Sequence, residues 1–443
     1  MSLTIWSRSN LTFFCPIPLR NQGIYFLFFS KKIGPRSTVW AFNYNDTIEK
    51  AATTFKDTEK ILKAAEKLLG INYQWKNYDI LVVPEFHSFA AMENPQLTFY
   101  GYRYLSTDDV TRTLIHEICH QWFGNIVSYK NFEHFWINEG LTTFLTSNII
   151  GMLYGEAEQG LWEAFAWDEL VKSIKGLENA KKPFRALVND LTGKSLLTSI
   201  ANLITNFTFY VGIHPADTVS NIPYQKGSVF MWFLANQFGK KIFFNRFLKL
   251  FLMRYVYGSV DSMQFKSFFE KTIGGQGQVD WEHWLYGQGV PNYRPSFDNT
   301  TAQPCWRLAK RWQNWKPGRP APTTESFKKL KILQKKVYLS TILMGEKGSL
   351  GNSNATLYKM EEVHKFHEEI YDVTSLWIQI IVKFHWAAGV DKVMDFVRIV
   401  SPIQPTLVDP VLNLMLSWDE MKEEFQDMKN VMRKTRESNK MRE

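Results

Sequence analysis

The feature that most restricts this chain is one string, Leu114-Ile115-His116-Glu117-Ile118-Cys119-His120-Gln121-Trp122. On an α-helix, residues i and i+4 sit one turn apart on the same face, so the imidazoles of His116 and His120 can reach a single metal ion. Neutral imidazole is a good ligand for zinc, and catalytic zinc sites take three protein ligands and leave a position for water. Glu117 stands beside that position and can accept the water's proton. Two histidines four apart also arise by chance on ordinary helices, so the pattern needs a third ligand. Glu139, in Trp136-Ile137-Asn138-Glu139-Gly140, offers one. The 18 residues between it and His120 suffice for a loop and the return of a second helix against the first. Two imidazoles and a carboxylate form the open set used for catalysis, not the closed set used for structure. Cys119 could offer a thiolate, but it points away from the His–His face, and buried packing is expected of it.

Local signals put the string on a helix. Ser106 or Thr107 can cap it, Asp108 and Asp109 suit its positive end, and Gly124 can close it. A second helix is expected from about Asn138 to Leu153. Upstream, Ile61, Leu62, Ala65, Leu68 and Leu69 recur at three and four, and Asp57-Thr58 offers a cap within residues 46–70, so two helices are expected there. Tyr78–Val83 reads as a short buried strand stopped by Pro84, and Leu97–Tyr100 as another. Further helices are expected over residues 157–175, 226–237 and 241–257. Residues 194–211 are rich in Thr, Ser and Asn and follow neither period. Pro291, Pro295 and Pro304 break the pattern and mark a domain boundary near residue 300, beyond which the chain reads as helical.

With 443 residues, 45% of them apolar and 15% aromatic, the chain can bury a large core, which excludes a disordered polymer. The formal charge of +9 would suit nucleic acid, but the cations are scattered among acids. The densest run, Lys328 to Lys336, is interleaved with Leu330, Ile332 and Leu333 as on a solvated helix face, so no nucleic-acid partner is expected. His364 and His367 are likewise read as a solvated face, and His87 and His134 receive no role. Cys15, Cys119 and Cys305 are too few and too widely spaced for a disulfide framework. The apolar run Ile24–Phe29 is far short of the roughly 20 residues that cross a bilayer and lacks a cleavage site. A cytoplasmic protein, monomeric by default, is expected. No Gly-rich phosphate loop or serine nucleophile motif stands out.

Several motifs occur together and in order: Ile33-Gly34-Pro35-Arg36, Tyr78–Val83, Ala91-Met92-Glu93-Asn94-Pro95, His116–Gly124, Phe135–Gly140, Pro223-Tyr224-Gln225-Lys226-Gly227, Val279-Asp280-Trp281 and Cys305–Trp312. On these the chain resembles the zinc aminopeptidases of the gluzincin type, in the branch that holds leukotriene A-4 hydrolase and aminopeptidase B. The resemblance implies an α/β (α+β) thermolysin-like catalytic domain over residues 24–300, with 194–211 an unmatched insertion. An all-α helical-repeat domain would follow over 301–443, with residues 1–23 unmatched. It implies one zinc ion held by His116, His120 and Glu139, with Glu117 as the base. Glu93 would pair with the free α-amino group of a short peptide, with Ala91, Met92 and Asn94 beside it. Tyr224 would donate to the tetrahedral oxyanion.

The chain also departs from the family. The β-rich domain that usually precedes the catalytic one is not matched. Thr146 stands where relatives carry a glutamate behind a zinc-ligating histidine, a change expected to weaken zinc or activity by about 10–100-fold. Ala90 and Ala91 replace the glycine pair before Met-Glu-Asn. An epoxide hydrolase of the leukotriene type would place an aspartate and a tyrosine where this chain has Ala216 and Val219, and Arg398 is only a loose match for its carboxylate grip. Peptide hydrolysis is therefore the leading expectation, with epoxide hydrolysis or a non-catalytic zinc-binding homologue as alternatives.

Overall fold

Tyr78–Val83 is apolar except for Asp79, and such a run suits a strand covered on both faces. In the computed structural model it is an inner strand of a seven-stranded mixed sheet. The strands are β1 (Ile5–Arg8), β2 (Leu11–Phe14), β3 (Phe26–Lys32), β4 (Ser37–Phe42), β5 (Tyr78–Val83), β6 (Ala91–Met92) and β7 (Leu97–Gly101), in the spatial order β1-β2-β3-β4-β5-β7-β6. β5 runs parallel to β4 and β7, while β6 closes one edge antiparallel to β7. β1, β2 and β3 extend the other side as antiparallel neighbours. β1 and β2 fall where the sequence shows no period, because four residues hold too few alternations to read.

The structure describes residues 5–8, 11–14, 26–42, 47–83, 90–106, 109–179, 186–188, 220–322, 324–346, 349–350, 353–401, 405–415, 418–419, 422, 426 and 428. Expectations for Pro84, His87, Thr107, Asp108, residues 194–211, Ala216 and Val219 lie outside them. The chain divides into two units, one of residues 1–159 and 173–296, the other of 160–172 and 297–443. Among the described residues no helix is long and apolar enough to cross a membrane.

In the first unit, α1 (Thr47–Thr54) and α2 (Thr58–Leu69) are the two expected helices. Asp57 sits at the N-cap of α2 without a capping bond, and Gly70 closes the helix at φ 63°. Arg36 gives the Ile-Gly-Pro-Arg segment a structural purpose: its Nη1 and Nη2 reach Glu66 at 2.7 and 3.1 Å, and its Nε reaches Glu59 at 3.2 Å. This fork ties the start of β4 to α2.

Next come α3 (Val110–His120), α4 (Trp136–Tyr154) and α5 (Glu156–Asn179). Asp109 occupies the N-cap of α3, in place of Ser106 or Thr107, and makes no side-chain capping bond. Gly124 does not end α3, which stops at His120; it lies in the loop to β8 (Val127–Tyr129) with φ 140°. α4 is buried almost all the way round from Trp136 to Ser147, as befits a central helix. A π-helical turn, Ile222–Lys226, leads into α6 (Gly227–Phe238), followed by α7 (Lys249–Tyr255), β9 (Gly258–Val260), α8 (Ser262–Ile273) and α9 (Trp281–Tyr286). β9 pairs with β8, and Phe230, Phe247, Phe265, Phe269 and Trp281 interlock as an aromatic core.

The described elements of the second unit are helical: α10 (Gln303–Gln313), α11 (Thr324–Lys328), α12 (Ile332–Met344), α13 (Ser353–His364), α14 (Tyr371–Lys383), α15 (Val390–Val400) and α16 (Pro405–Met415). The middle of α5, residues 160–172, belongs to this unit, and Leu161 and Ala164 join its core. One expectation fails here. His364 is 5% exposed, not solvated, and its ring packs against Phe327, Phe366 and Trp312 at 4.5, 5.1 and 5.3 Å between centroids. α13 ends at His364 and Lys365 turns at φ 53°, so His367 no longer shares its face and pairs with Glu361 at 2.7 Å instead.

Candidate metal centre

α3 and α4 pack side by side and bring three ligand atoms together. Nε2 of His116 lies 3.0 Å from Nε2 of His120, and Oε2 of Glu139 lies 3.2 and 3.3 Å from them. A tetrahedral zinc with bonds of about 2.0–2.1 Å holds its ligand atoms roughly 3.3 Å apart, so these spacings fit such an ion. The imidazole of His120 is also oriented from behind. Its Nδ1 lies 2.9 Å from the Phe123 carbonyl, to which it can only donate, so in the neutral ring Nε2 carries the lone pair that faces the cluster. Thr142 supports the same carbonyl with its hydroxyl, at 3.1 Å. A side chain at Gly124 would put its Cβ 3.0 Å from Nδ1 of His120, so the residue must stay small. Thr146 is buried and turns its hydroxyl back along its own helix, donating to the Thr142 carbonyl at 2.8 Å. Cys119 is fully buried, as its place in the motif suggests.

Glu117 is 5% exposed, and its Oε2 has no hydrogen-bond partner among the described residues. An unpartnered buried carboxylate oxygen is costly in a finished core and is more usual where a ligand or a proton is to be met. Ligand atoms of Glu93, Glu117 and His120 lie within 4.8 Å of one another. Glu93 follows β6, where Ala91 is buried and Met92 and Asn94 are half-buried. Its backbone is clamped by two residues to which no sequence motif assigns a role. Asn125 Nδ2 donates to the Glu93 carbonyl at 2.8 Å, and Gln121 Nε2 reaches it at 3.4 Å. Oε1 of Gln121 accepts from the backbone N–H of Gln96 at 3.3 Å. The only clue was position: Gln121 immediately follows the second histidine.

Tyr224 enters from the π-helical turn. Its ring lies 6.0 Å from that of His116 at an interplanar angle of 25°, and 5.9 Å edge-on from Phe135. Lys226 in the same turn is buried, donates to the Gly287 carbonyl at 2.6 Å, and is pushed down to about 8 by burial. The π-turn itself has no sequence signature comparable to a cap or a period.

The electrostatics separate the groups. Burial pushes the Glu117 carboxyl well above the usual range; His120 opposes this, and Glu93 and Glu139 add to it. Burial lowers His116. Burial would also lower His120 and raise Glu139, but in both cases the neighbouring opposite charges win, so His120 moves up and Glu139 down. Burial, with the charges of Glu139, Glu93 and Glu117, raises Tyr224 far above its ordinary value, so its hydroxyl keeps its proton and stays a donor. The set can therefore hold a dication, accept a proton and donate a hydrogen bond within one small volume.

The sequence matches the Peptidase family M1 domain over residues 53–284. Leucine aminopeptidase 2-1 of Meyerozyma guilliermondii is 31% identical over 326 residues, which is 72% of this chain and 49% of that protein. Leukotriene A-4 hydrolase of Xenopus laevis is 33% identical over 290 residues, 64% of this chain and 43% of that one. The chain thus spans about half the length of the curated relatives it matches. Among solved structures, yeast LTA4 hydrolase in complex with bestatin is similar over 90% of this chain and 65% of that one, at 25% identity and a TM-score of 0.71.

Proposed function

The chain belongs to peptidase family M1, and on that premise we propose that it is a zinc aminopeptidase that removes N-terminal residues from short peptides. The observation that carries this reading is the meeting of His116, His120 and Glu139 beside the unpartnered Glu117 oxygen. These three residues would hold the ion. Zinc in that position supplies Lewis-acid polarisation of the scissile carbonyl and a more acidic water.

The remaining steps belong to the chain's own side chains. Glu117, raised by burial, takes the proton of the attacking water and delivers it to the leaving amine. Tyr224 keeps its hydroxyl proton and donates to the developing oxyanion. Glu93, fixed through its carbonyl by Asn125 and Gln121, meets the substrate's α-ammonium. A peptide bond inside a chain offers no ammonium, so this carboxylate selects for the N-terminus.

The purified chain is assayed with aminoacyl-coumarins and with free and N-acetylated peptides. Turnover should disappear on chelation, return with zinc, and fall at least 100-fold in Glu117→Gln with zinc retained. Undiminished turnover by Glu117→Gln rejects the base. Equal cleavage of acetylated peptides rejects the role of Glu93.

A further inference from the structure

Between Asn299 and Thr324 the chain carries five cations, Arg307, Lys310, Arg311, Lys316 and Arg319, and no aspartate or glutamate. All five line one groove of about 650 Å³ in the helical unit, together with Trp315. Arg307, Lys310 and Arg311 stand at i, i+3 and i+4 of α10 and so share a face. Lys316 and Arg319 are the ends of the turn Lys316-Pro317-Gly318-Arg319, closed by the Arg319 N–H to the Lys316 carbonyl at 3.2 Å. Pro317 in second place and Gly318 at φ 85° in third suit a type II turn, which presets where its ends project. The indole of Trp315 locks the turn against the helix end, donating to the Arg319 carbonyl at 3.0 Å.

Helix C-termini favour cations, but only within the last turn, which holds Lys310 and Arg311 and not the other three. The contrast with the neighbouring lysine-rich segment is informative. There Lys329 pairs with Glu325, Lys335 with Glu369 and Lys336 with Asp372. Among the described residues lining the groove there is no carboxylate; Arg307 reaches the Gln303 amide oxygen, at 3.2 Å. At physiological salt the screening length is about 8 Å, so charges around one such groove repel each other until an anion arrives.

We propose that this groove binds a small ligand carrying several adjacent phosphates. Its volume lies within the roughly 300–1,000 Å³ of small-molecule sites. Balancing five cations in that space requires charge packed as densely as in a polyphosphate, and three arginines offer the planar fork that suits phosphate oxygens. Trp315 supplies an apolar wall for an attached ring. The inference is independent of the peptidase reading, because its readout is binding.

Isothermal titration of the full chain at about 0.15 M salt, with inorganic tripolyphosphate, ATP and inositol hexakisphosphate, tests it. One-to-one binding is expected, weakened at least tenfold in Lys316→Ala/Arg319→Ala and unchanged in the control Lys328→Ala/Lys329→Ala, both checked for native circular dichroism. ATP binding more tightly than tripolyphosphate, with the excess lost in Trp315→Ala or Trp315→Phe, identifies a nucleotide. Equal binding identifies the phosphates alone as the determinant. No saturable binding of any of the three, an equal loss in the control pair, or binding confined to long single-stranded nucleic acid overturns the proposal.

Discussion

Gly140 and Gly227 touch backbone to backbone: a Cβ on Gly140 would lie 2.8 Å from the Gly227 Cα. The contact joins α4 to α6 one residue after Glu139 and three residues after Tyr224. The spacing between a proposed metal ligand and the proposed oxyanion donor is thus set by two absent side chains.

Gly140→Ala should therefore destabilise, although alanine is the better helix former. The helix gain is about 1 kcal/mol, whereas forcing a methyl into a closed backbone contact costs roughly 1–3 kcal/mol and can exceed it. Urea melts should show a net loss of up to about 2 kcal/mol, with turnover falling further than stability explains. Unchanged melts and turnover would show that the two helices can separate freely.

Tyr224→Phe retains the ring that stacks on His116 and removes only the hydroxyl. kcat should fall by about 100–1,000-fold with zinc content and KM little changed. A rise in KM at constant kcat would assign the tyrosine to ground-state binding instead.

Asn125→Ala removes the 2.8 Å bond to the Glu93 carbonyl and leaves Gln121 as a weaker clamp. One such bond is worth about 0.5–1.5 kcal/mol, so kcat/KM should drop up to roughly tenfold. The loss should concentrate in KM for free peptides. A normal KM would mean that the Glu93 segment holds its place without this contact.

His364 gives a pH signature. Its burial among Trp312, Phe327, Tyr338 and Phe366, and secondly the Lys335 charge, lower it from 6.5 to about 3. The unfolded chain therefore binds a proton below pH 6.5 that the folded chain refuses, and folding stability falls as pH drops from 6.5 towards 3. Relative to His364→Leu, the wild type should lose about 1.4 kcal/mol per pH unit across that window, read from urea melts. Parallel pH profiles for the two proteins would refute it.

The local part of this molecule is written in its sequence. The His116–His120 spacing, the two helices on either side of Asp57, and the apolar run of β5 follow from periods and caps that operate within a few residues. The approach of Glu139 could be expected because 18 residues make a loop and a returning helix. What could not be read were relations between distant segments. The Gln121 and Asn125 clamps on Glu93, the fork of Arg36 on α2, and the contact of Gly140 with Gly227 depend on which surfaces meet once the helices pack. His364 shows the reason most plainly. A helical period says which residues share a face, but only packing decides whether that face meets water or an aromatic core, and a turn at Lys365 separated two histidines that spacing alone had joined.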